Sequence, residues 1–214
     1  MNRRIIVSGT AAVAILGFGT AAWYATRSVP TVAPLPLPEV APLIRAHSPI
    51  LGPRDAPVTI VEFFDPACEA CRAFHPIVKQ ILGAFPGKVR VVLRYTPFHD
   101  GSEEAVRILE TARIQGKFEP VLEALYATQP AWSAHGSPRL EAAWNAAAQA
   151  GLDVQRAKAD QMLPGIVAVL NQDKADLAAV GVRYTPTFFV NGKRLTDFGP
   201  RQLFEMVQAE VTAP

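Results

Sequence analysis

Apolar positions in the chain first form a continuous run and then recur at helical spacing, which predicts a strand followed by a helix. Val58 to Phe64 is a short run rich in β-branched and aromatic residues, typical of a buried central strand. Lys88 to Tyr95 is a second such run, and a strand–helix–strand unit of this length predicts parallel strands with a right-handed crossover. Between the two strands, after Asp65-Pro66, the apolar positions have a helical period: Phe74, Ile77, Val78, Ile81, Leu82 and Phe85.

A long stretch of helical periodicity, from about Ser102 to Val180, separates this unit from a second group of strand residues. Its alanine-rich apolar stripes are typical of packing faces between helices. Strand character returns at Thr187 to Val190, and Asn191-Gly192 predicts a tight hairpin turn into a return strand at Lys193 to Thr196. A closing helix from about Pro200 to Val211 follows.

The order of these elements is β-α-β, a helical block and β-β-α, which predicts an α/β layered fold. We place the folded domain at residues 48–214, with the α-helical insertion at about residues 101–181. A Pro-rich linker at residues 29–47 precedes it, and the part from Val29 to about Pro42 is predicted to be an extended spacer.

The N-terminal segment, residues 1–28, predicts export of everything that follows it. Arg3 and Arg4 precede an uncharged stretch from Ile5 to Ala25, long enough to cross a hydrocarbon layer of ~30 Å as a helix. An anchor of this kind leaves the domain periplasmic or otherwise extracytoplasmic and tethered to the cytoplasmic membrane. The alternative is a signal peptide cleaved near Thr20-Ala21-Ala22, which would release the domain.

Composition and charge narrow the possible functions. The chain has 214 residues, a formal net charge of +2, and no basic run with interleaved aromatic residues, so we predict no nucleic-acid partner. It has only two cysteines, both within Cys68-Glu69-Ala70-Cys71. A disulfide across so short a spacer closes almost no loop and therefore adds little to stability. The two cysteines are therefore predicted to be reactive residues and not a structural disulfide.

Cys68 and Cys71 lie where the first strand turns into the helix. The free N–H groups and the dipole of a helix N-terminus stabilise a thiolate, and such placement can lower a cysteine pKa to ~3.5–7.5. Cys71 follows about one helical turn later, within reach of Cys68 but facing inward. We therefore predict Cys68 as the attacking nucleophile and Cys71 as the resolving thiol.

The dipeptide between the cysteines, Glu69-Ala70, bears on the redox potential. A carboxylate beside the thiolate raises the thiol pKa, and a less stable thiolate makes a weaker oxidant. Glu69 is expected to be solvated, which keeps this effect modest. The dipeptide predicts a potential between those of the strong oxidants and thioredoxin, and leaves open whether the protein acts as oxidase, isomerase or reductase.

Glu62 is the one charged residue in the first strand. A buried carboxylate is costly, so one interpretation is a proton acceptor and donor for Cys71, with a raised pKa. The other is that Glu62 points to solvent at a sheet edge. The residues alone do not decide between these two interpretations. They also do not decide whether the Thr185–Pro186 peptide bond is cis or trans, since a trans bond at the start of a strand would be ordinary.

Two motifs resemble the thioredoxin superfamily, in particular its DsbA-like branch. Val61 to Cys71 resembles the family's strand and active-site signature, and Gly181 to Gly192 resembles its cis-proline loop and hairpin. The resemblance extends over about Ser48 to Thr212 and implies a thioredoxin-like fold with an inserted α-helical domain. It implies that Pro186 is cis beside Cys68 and that Thr185 pairs with a substrate backbone.

The resemblance also supports Glu62 as the buried carboxylate, and Pro76 looks like the family's helix-kink proline. Two positions depart from the pattern. The dipeptide is Glu69-Ala70 where strong oxidases have Pro-His, and Tyr184 stands where the family often has Gly.

We therefore predict a monomeric protein thiol–disulfide oxidoreductase with no cofactor beyond the Cys68–Cys71 disulfide and no metal. Its expected partners are exported cysteine-containing proteins and a membrane redox partner that oxidises or reduces it. One alternative is a copper- or zinc-binding protein using Cys68, Cys71 and His75, although closed zinc sites require four ligands. Another is a binding module with an inert disulfide. His75 and His99 are interpreted as helix-surface and loop residues outside the site.

Overall fold

The computed structural model describes residues 42–213. The predicted N-terminal segment, with its membrane-anchor or signal-peptide stretch at residues 5–25, and the linker up to residue 41 lie outside the described residues. Within residues 42–213, no helix combines the length and the apolar character that crossing a membrane requires.

A five-stranded sheet forms the centre of the domain, in the order β1-β3-β2-β4-β5. β2 and β3 run parallel, as the strand–helix–strand pattern predicts, while β1, β4 and β5 join their neighbours antiparallel. β1 was not predicted, and the predicted return strand to Thr196 is shorter in the structure, ending at Arg194. The strands are β1 Ile50–Leu51, β2 Val58–Phe64, β3 Val89–Tyr95, β4 Thr187–Val190 and β5 Lys193–Arg194.

Helices follow the predicted order, with the long helical region divided into six separate helices between β3 and β4. This arrangement confirms the α/β fold with a helical insertion. Pro76 lies inside the first helix. The helices are α1 Glu69–Ala84, α2 Ser102–Ile114, α3 Phe118–Ala127, α4 Gln129–Trp132, α5 Leu140–Gln149, α6 Val154–Asp160, α7 Pro164–Val180 and α8 Pro200–Thr212.

The two faces of the sheet are covered by different hydrophobic clusters, which explains why β2 is apolar along its whole length. Ile60 and Phe64 belong to the larger cluster, with α1 and the helical block, while Val61 and Phe63 belong to the smaller one. Because side chains alternate along a strand, Glu62 faces the same side as Ile60 and Phe64, the side on which Cys71 is packed.

A buried ionic network joins the start of the described chain to the domain. Arg94 is fully buried in β3 and pairs with Asp173 at 2.8 Å and Asp176 at 2.6 Å, both on α7. Arg45 pairs with Asp176 and His47 with Asp173. Residues 45–47, within the predicted linker, therefore pack against the folded domain.

Candidate active site

Cys68 is the N-cap residue of α1. Asp65-Pro66 ends β2, and Cys68 has extended backbone angles (φ −76°, ψ 124°) while its carbonyl accepts the first helical bond from Arg72 N at 3.1 Å. The structure thus places this cysteine at the strand-to-helix turn where the sequence predicts it. Its sulfur lies at the positive end of the helix dipole.

The two cysteines have opposite electrostatic environments. Both are free thiols. Hydrogen bonds from the Cys71 thiol and the Thr185 side chain, against the effect of burial, lower the pKa of Cys68 to about 5. Burial, the hydrogen bond to Cys68 and the charge of Glu62 raise the pKa of Cys71, although Asp65 N donates to its sulfur at 3.4 Å. At neutral pH the pair therefore holds a thiolate at Cys68 and a thiol at Cys71.

Thr185 and Pro186 lie beside Cys68, although they are 117 positions away in the chain. The Thr185–Pro186 peptide bond is cis, and Cys68 Sγ lies 3.4 Å from the Thr185 carbonyl oxygen. Pro186 is buried and Thr185 is half-buried. The backbone of Thr185 thus borders the reactive sulfur.

Glu62 is buried in the middle of β2, between Leu93 of β3 and Phe188 of β4. Its 4% exposure does not fit the alternative of a solvent-facing residue at a sheet edge. Burial and the charge of Cys68 raise the pKa of Glu62 to about 8, and its charge acts on Cys71. This carboxyl group can therefore gain or lose a proton near neutral pH next to the buried thiol.

Glu69 and Ala70 are both exposed. The Glu69 carboxylate contacts His135 Nε2 at 3.0 Å, and its pKa is lowered by its own backbone N–H and by His135. The negative charge that was expected to weaken the Cys68 thiolate is thus directed toward a histidine.

Asp65 and His99 are site residues that the sequence analysis missed. The buried Asp65 carboxylate accepts hydrogen bonds from the backbone N–H groups of Ala67, Phe98 and His99, and contacts His99 Nδ1 at 2.6 Å. His99 follows β3, and the carboxyl ends of the parallel strands β2 and β3 lie at the same edge of the sheet. That rule, applied to the sequence, could have placed His99 near Cys68.

Gln129 is a second residue that was missed. It is fully buried at the start of α4, and its Nε2 donates to Pro66 O at 2.8 Å and Cys68 O at 3.0 Å. The helical block therefore holds the active-site turn directly. No local sequence signal marks this contact, which spans 61 positions.

His75, the third ligand considered for a metal site, packs against the ring of Tyr126 at 5.1 Å. In the part of the chain that the structure describes, no group of three or more His, Cys, Asp or Glu side chains could hold a metal ion.

The chain is similar to a known protein family and to proteins of solved structure. A family model described as Thioredoxin matches residues 45–209. A thioredoxin-like oxidoreductase from Silicibacter pomeroyi DSS-3 is 30% identical, with a TM-score of 0.69, over 79% of this chain and 95% of that one. BdbD from Bacillus subtilis is 25% identical, with a TM-score of 0.69, over 78% of this chain and 94% of that one.

The chain is also similar to one part of a curated sodium–proton antiporter. The Na(+)/H(+) antiporter NhaA of Herminiimonas arsenicoxydans is 35% identical over 163 residues, which is 76% of this chain and 25% of the antiporter. The chain thus spans about a quarter of the length of the curated relatives it matches. Together with the cysteine pair at a strand-to-helix turn, these similarities lead to one conclusion: the chain belongs to the thioredoxin family, in its DsbA-like branch.

Proposed function

We propose that the protein exchanges disulfides with exported, cysteine-containing proteins outside the cytoplasm. The observation that carries this proposal is the position of Cys68 Sγ, 3.4 Å from the carbonyl oxygen of Thr185. A substrate segment that pairs with the Thr185 backbone as an added strand would bring its own cysteine to this sulfur. Thr185 and Pro186 are in this proposal the substrate-binding residues.

The chemistry needs no cofactor beyond the cysteine pair. In the oxidising direction, a substrate thiolate attacks Cys68 Sγ of the Cys68–Cys71 disulfide, and Cys71 leaves with the electron pair of the broken bond and takes a proton from Glu62. A second substrate thiolate then attacks the substrate sulfur of the mixed disulfide and releases Cys68 as a thiolate. The substrate loses two electrons and the protein becomes a dithiol. The reducing direction runs through the same steps in reverse.

The acidity of Cys68 supports an intermediate potential. Its pKa of about 5 lies between the values of ~7 for thioredoxin and ~3.5 for DsbA. A more stable thiolate stabilises the reduced form and makes the disulfide more oxidising. We expect the glutathione equilibrium of the purified protein to give a potential between about −270 and −120 mV. A value at either limit would contradict the proposal.

Export is supported by the uncharged stretch Ile5 to Ala25 behind Arg3 and Arg4, which either anchors the domain to the cytoplasmic membrane or is removed as a signal. An exported enzyme of this kind needs a membrane redox partner to restore its cysteines after each turnover. In this proposed function the domain acts as a monomer.

Trapping of mixed disulfides tests the function. In cells that produce the full chain with Cys71→Ala, the resolving thiol is absent and substrates are expected to remain bound to Cys68 until a reductant is added. The matched control, Cys68→Ala with Cys71→Ala, should capture none. The proposal fails if the trapped proteins are cytoplasmic, or if the variant captures no more protein than its control.

A further inference from the structure

His99 lies at one side of the active-site turn, in a cluster that we call the histidine rim: His99, His135 and Glu69. His135 Nε2 contacts the Glu69 carboxylate at 3.0 Å, and the His99 and His135 rings are 6.2 Å apart. Glu69 directly follows Cys68 in the chain. The backbone of Asp65 in turn accepts from Cys68 N at 3.1 Å, and its carboxylate contacts His99, so the rim adjoins the turn that carries the nucleophile.

Asp65 fixes the orientation of His99. The carboxylate of Asp65 is fully buried, accepts from His99 N at 3.0 Å, and contacts His99 Nδ1 at 2.6 Å. Because a carboxylate only accepts, Nδ1 carries a hydrogen and Nε2 remains the position that gains or loses the second proton. Ser102 Oγ also donates to Asp65, so the anchor of His99 belongs to the helical block as well.

The charged groups around His99 favour its protonated form. Partial burial opposes this, but the hydrogen bond and charge of Asp65, followed by the charges of Cys68 and Glu69, raise the pKa of His99. Asp100 and His135 line the same small cleft, about 220 Å³ in volume, which contacts solvent. The imidazole is 31% exposed and can exchange protons with water through that cleft.

We propose that His99 is the cationic partner of the Cys68 thiolate, a positioning residue that Asp65 holds at the active-site turn and that gains a proton when the disulfide is reduced. This inference rests on the proposed function, since it concerns the redox cycle of Cys68 and Cys71. The imidazolium occupies the role that the dipeptide Glu69-Ala70 leaves unfilled, because neither residue can carry positive charge.

Two electrons from a substrate dithiol or the reducing partner break the Cys68–Cys71 bond, Cys71 takes one proton as a thiol, and Cys68 remains a thiolate. The new negative charge at Cys68 favours proton uptake by His99 from solvent. At pH values below the pKa of Glu62, where that carboxyl keeps its proton, reduction thus consumes two protons per two electrons in the range where His99 is neutral beside the disulfide and charged beside the thiolate. It consumes one proton where His99 has the same charge in both states.

Four proteins test the proposal: the wild type, His99→Gln, His99→Lys and His135→Gln. The thiolate absorbance of the reduced protein against pH gives the pKa of Cys68, and the glutathione equilibrium against pH gives the number of protons per two electrons. His99→Gln is expected to raise the pKa of Cys68 by about one unit, because an opposite charge within reach shifts a pKa by ~1–3 units. At pH values below the wild-type pKa of Cys68, this shift is about a tenfold loss of thiolate.

His99→Lys separates charge from titration. It is expected to keep the pKa of Cys68 low, because it restores a cation, and to lose the second proton per two electrons, because lysine does not titrate near neutral pH. His135→Gln is the matched control and should shift the pKa of Cys68 by less than a third as much as His99→Gln. Circular dichroism tests whether each variant is folded. If His99→Gln is not folded, the number of protons per two electrons measured for His99→Lys decides the outcome.

Failure of the proposed function and failure of the role of His99 give different results in these experiments. If the wild type does not form its disulfide in equilibrium with glutathione, the proposed function is wrong. If the wild type equilibrates but His99→Gln has the same pKa and proton count, only the role of His99 is overturned. An equal effect of His135→Gln would also overturn it, since the effect would then belong to the general charge of the surface.

Discussion

At the scale of single residues, two cysteines three positions apart acquire opposite acidities because their surroundings differ. Cys68 ends the strand-to-helix turn, where hydrogen bonds stabilise its charge, and Cys71 is fully buried in the first turn of α1. A thiol of low pKa is the better nucleophile at neutral pH, while a buried thiol needs a base before it can attack. The carboxyl group of Glu62, buried on the same side of the sheet, is our candidate for that base.

Replacing Glu62 by Gln is expected to slow the resolving step by about tenfold or more, since a positioned general base contributes ~10²–10⁴-fold in rate. In the wild type this step should accelerate as the pH rises through about 8, the pKa of Glu62, and the variant should lose that dependence. Stopped-flow measurement of mixed-disulfide resolution against pH tests this expectation. An unchanged pH profile would rule out the role.

Stability gives an independent measure of the same carboxyl group. Its folded pKa of about 8 lies above the ordinary value of 4.5, so its contribution to stability is complete below about pH 4.5 and is lost as the pH rises to about 8. Glu62→Gln should therefore be more stable than the wild type at alkaline pH by a larger margin than at acid pH. Denaturant unfolding of the reduced proteins at both pH values provides the comparison.

At the scale of elements, the active-site turn is held between the sheet and the helical block. β2 ends at Phe64, α1 begins at Glu69, and the residues between them bond to Gln129 of α4 and to the loop after β3. The insertion thus does more than enlarge the domain, because it fixes the backbone that carries Cys68.

Gln129→Leu is expected to lower the free energy of unfolding by about 1–3 kcal/mol, because the Pro66 and Cys68 carbonyls lose a buried donor. Urea unfolding measures this loss. Gln208→Leu, at an exposed position of α8, is the matched control and should change stability by less than about 0.5 kcal/mol. Equal effects of the two substitutions would show that the Gln129 contacts add nothing.

At the scale of the molecule, charge and apolar packing together hold the first described residues, 42–47, against the rest of the domain. Leu43 enters the smaller hydrophobic cluster, and Arg94 donates to its carbonyl at 2.8 Å. Burial would raise the pKa of Asp176, but hydrogen bonds from Arg45, Arg94 and Gln172 lower it to about 2. The network holds residues 42–47 against β3 and α7.

Asp176→Asn should lower the free energy of unfolding by about 3 kcal/mol, because it leaves Arg94 buried with only one carboxylate partner. Since the pKa of Asp176 falls from 3.8 to about 2, the stability it contributes is present above about pH 4 and lost as the pH falls through 2. The variant should lose less stability than the wild type over this interval. Thermal unfolding followed across this pH range tests both expectations, and parallel curves would contradict the second.

Local patterns in the sequence determined the strand that ends before Cys68, the helix that begins after it, and the roles expected of the two cysteines. Helical spacing and strand alternation depend on neighbouring residues, so they can be read along the chain. The same local signals miss two-residue strands such as β1, which are too short to show a period. They also end the return strand at the wrong residue, Thr196 instead of Arg194.

Contacts between distant segments were decided by the tertiary structure alone. The order of strands in the sheet brings the loop after β3 to the active-site turn, so His99 contacts Asp65 although no local pattern marks this pair. Gln129 and the partners of Arg94 are of the same kind, since their hydrogen bonds span 51 to 82 positions. The sequence by itself predicted the two sulfur atoms expected to react, because residue type and helical spacing are local, while only the fold decided which charges surround them.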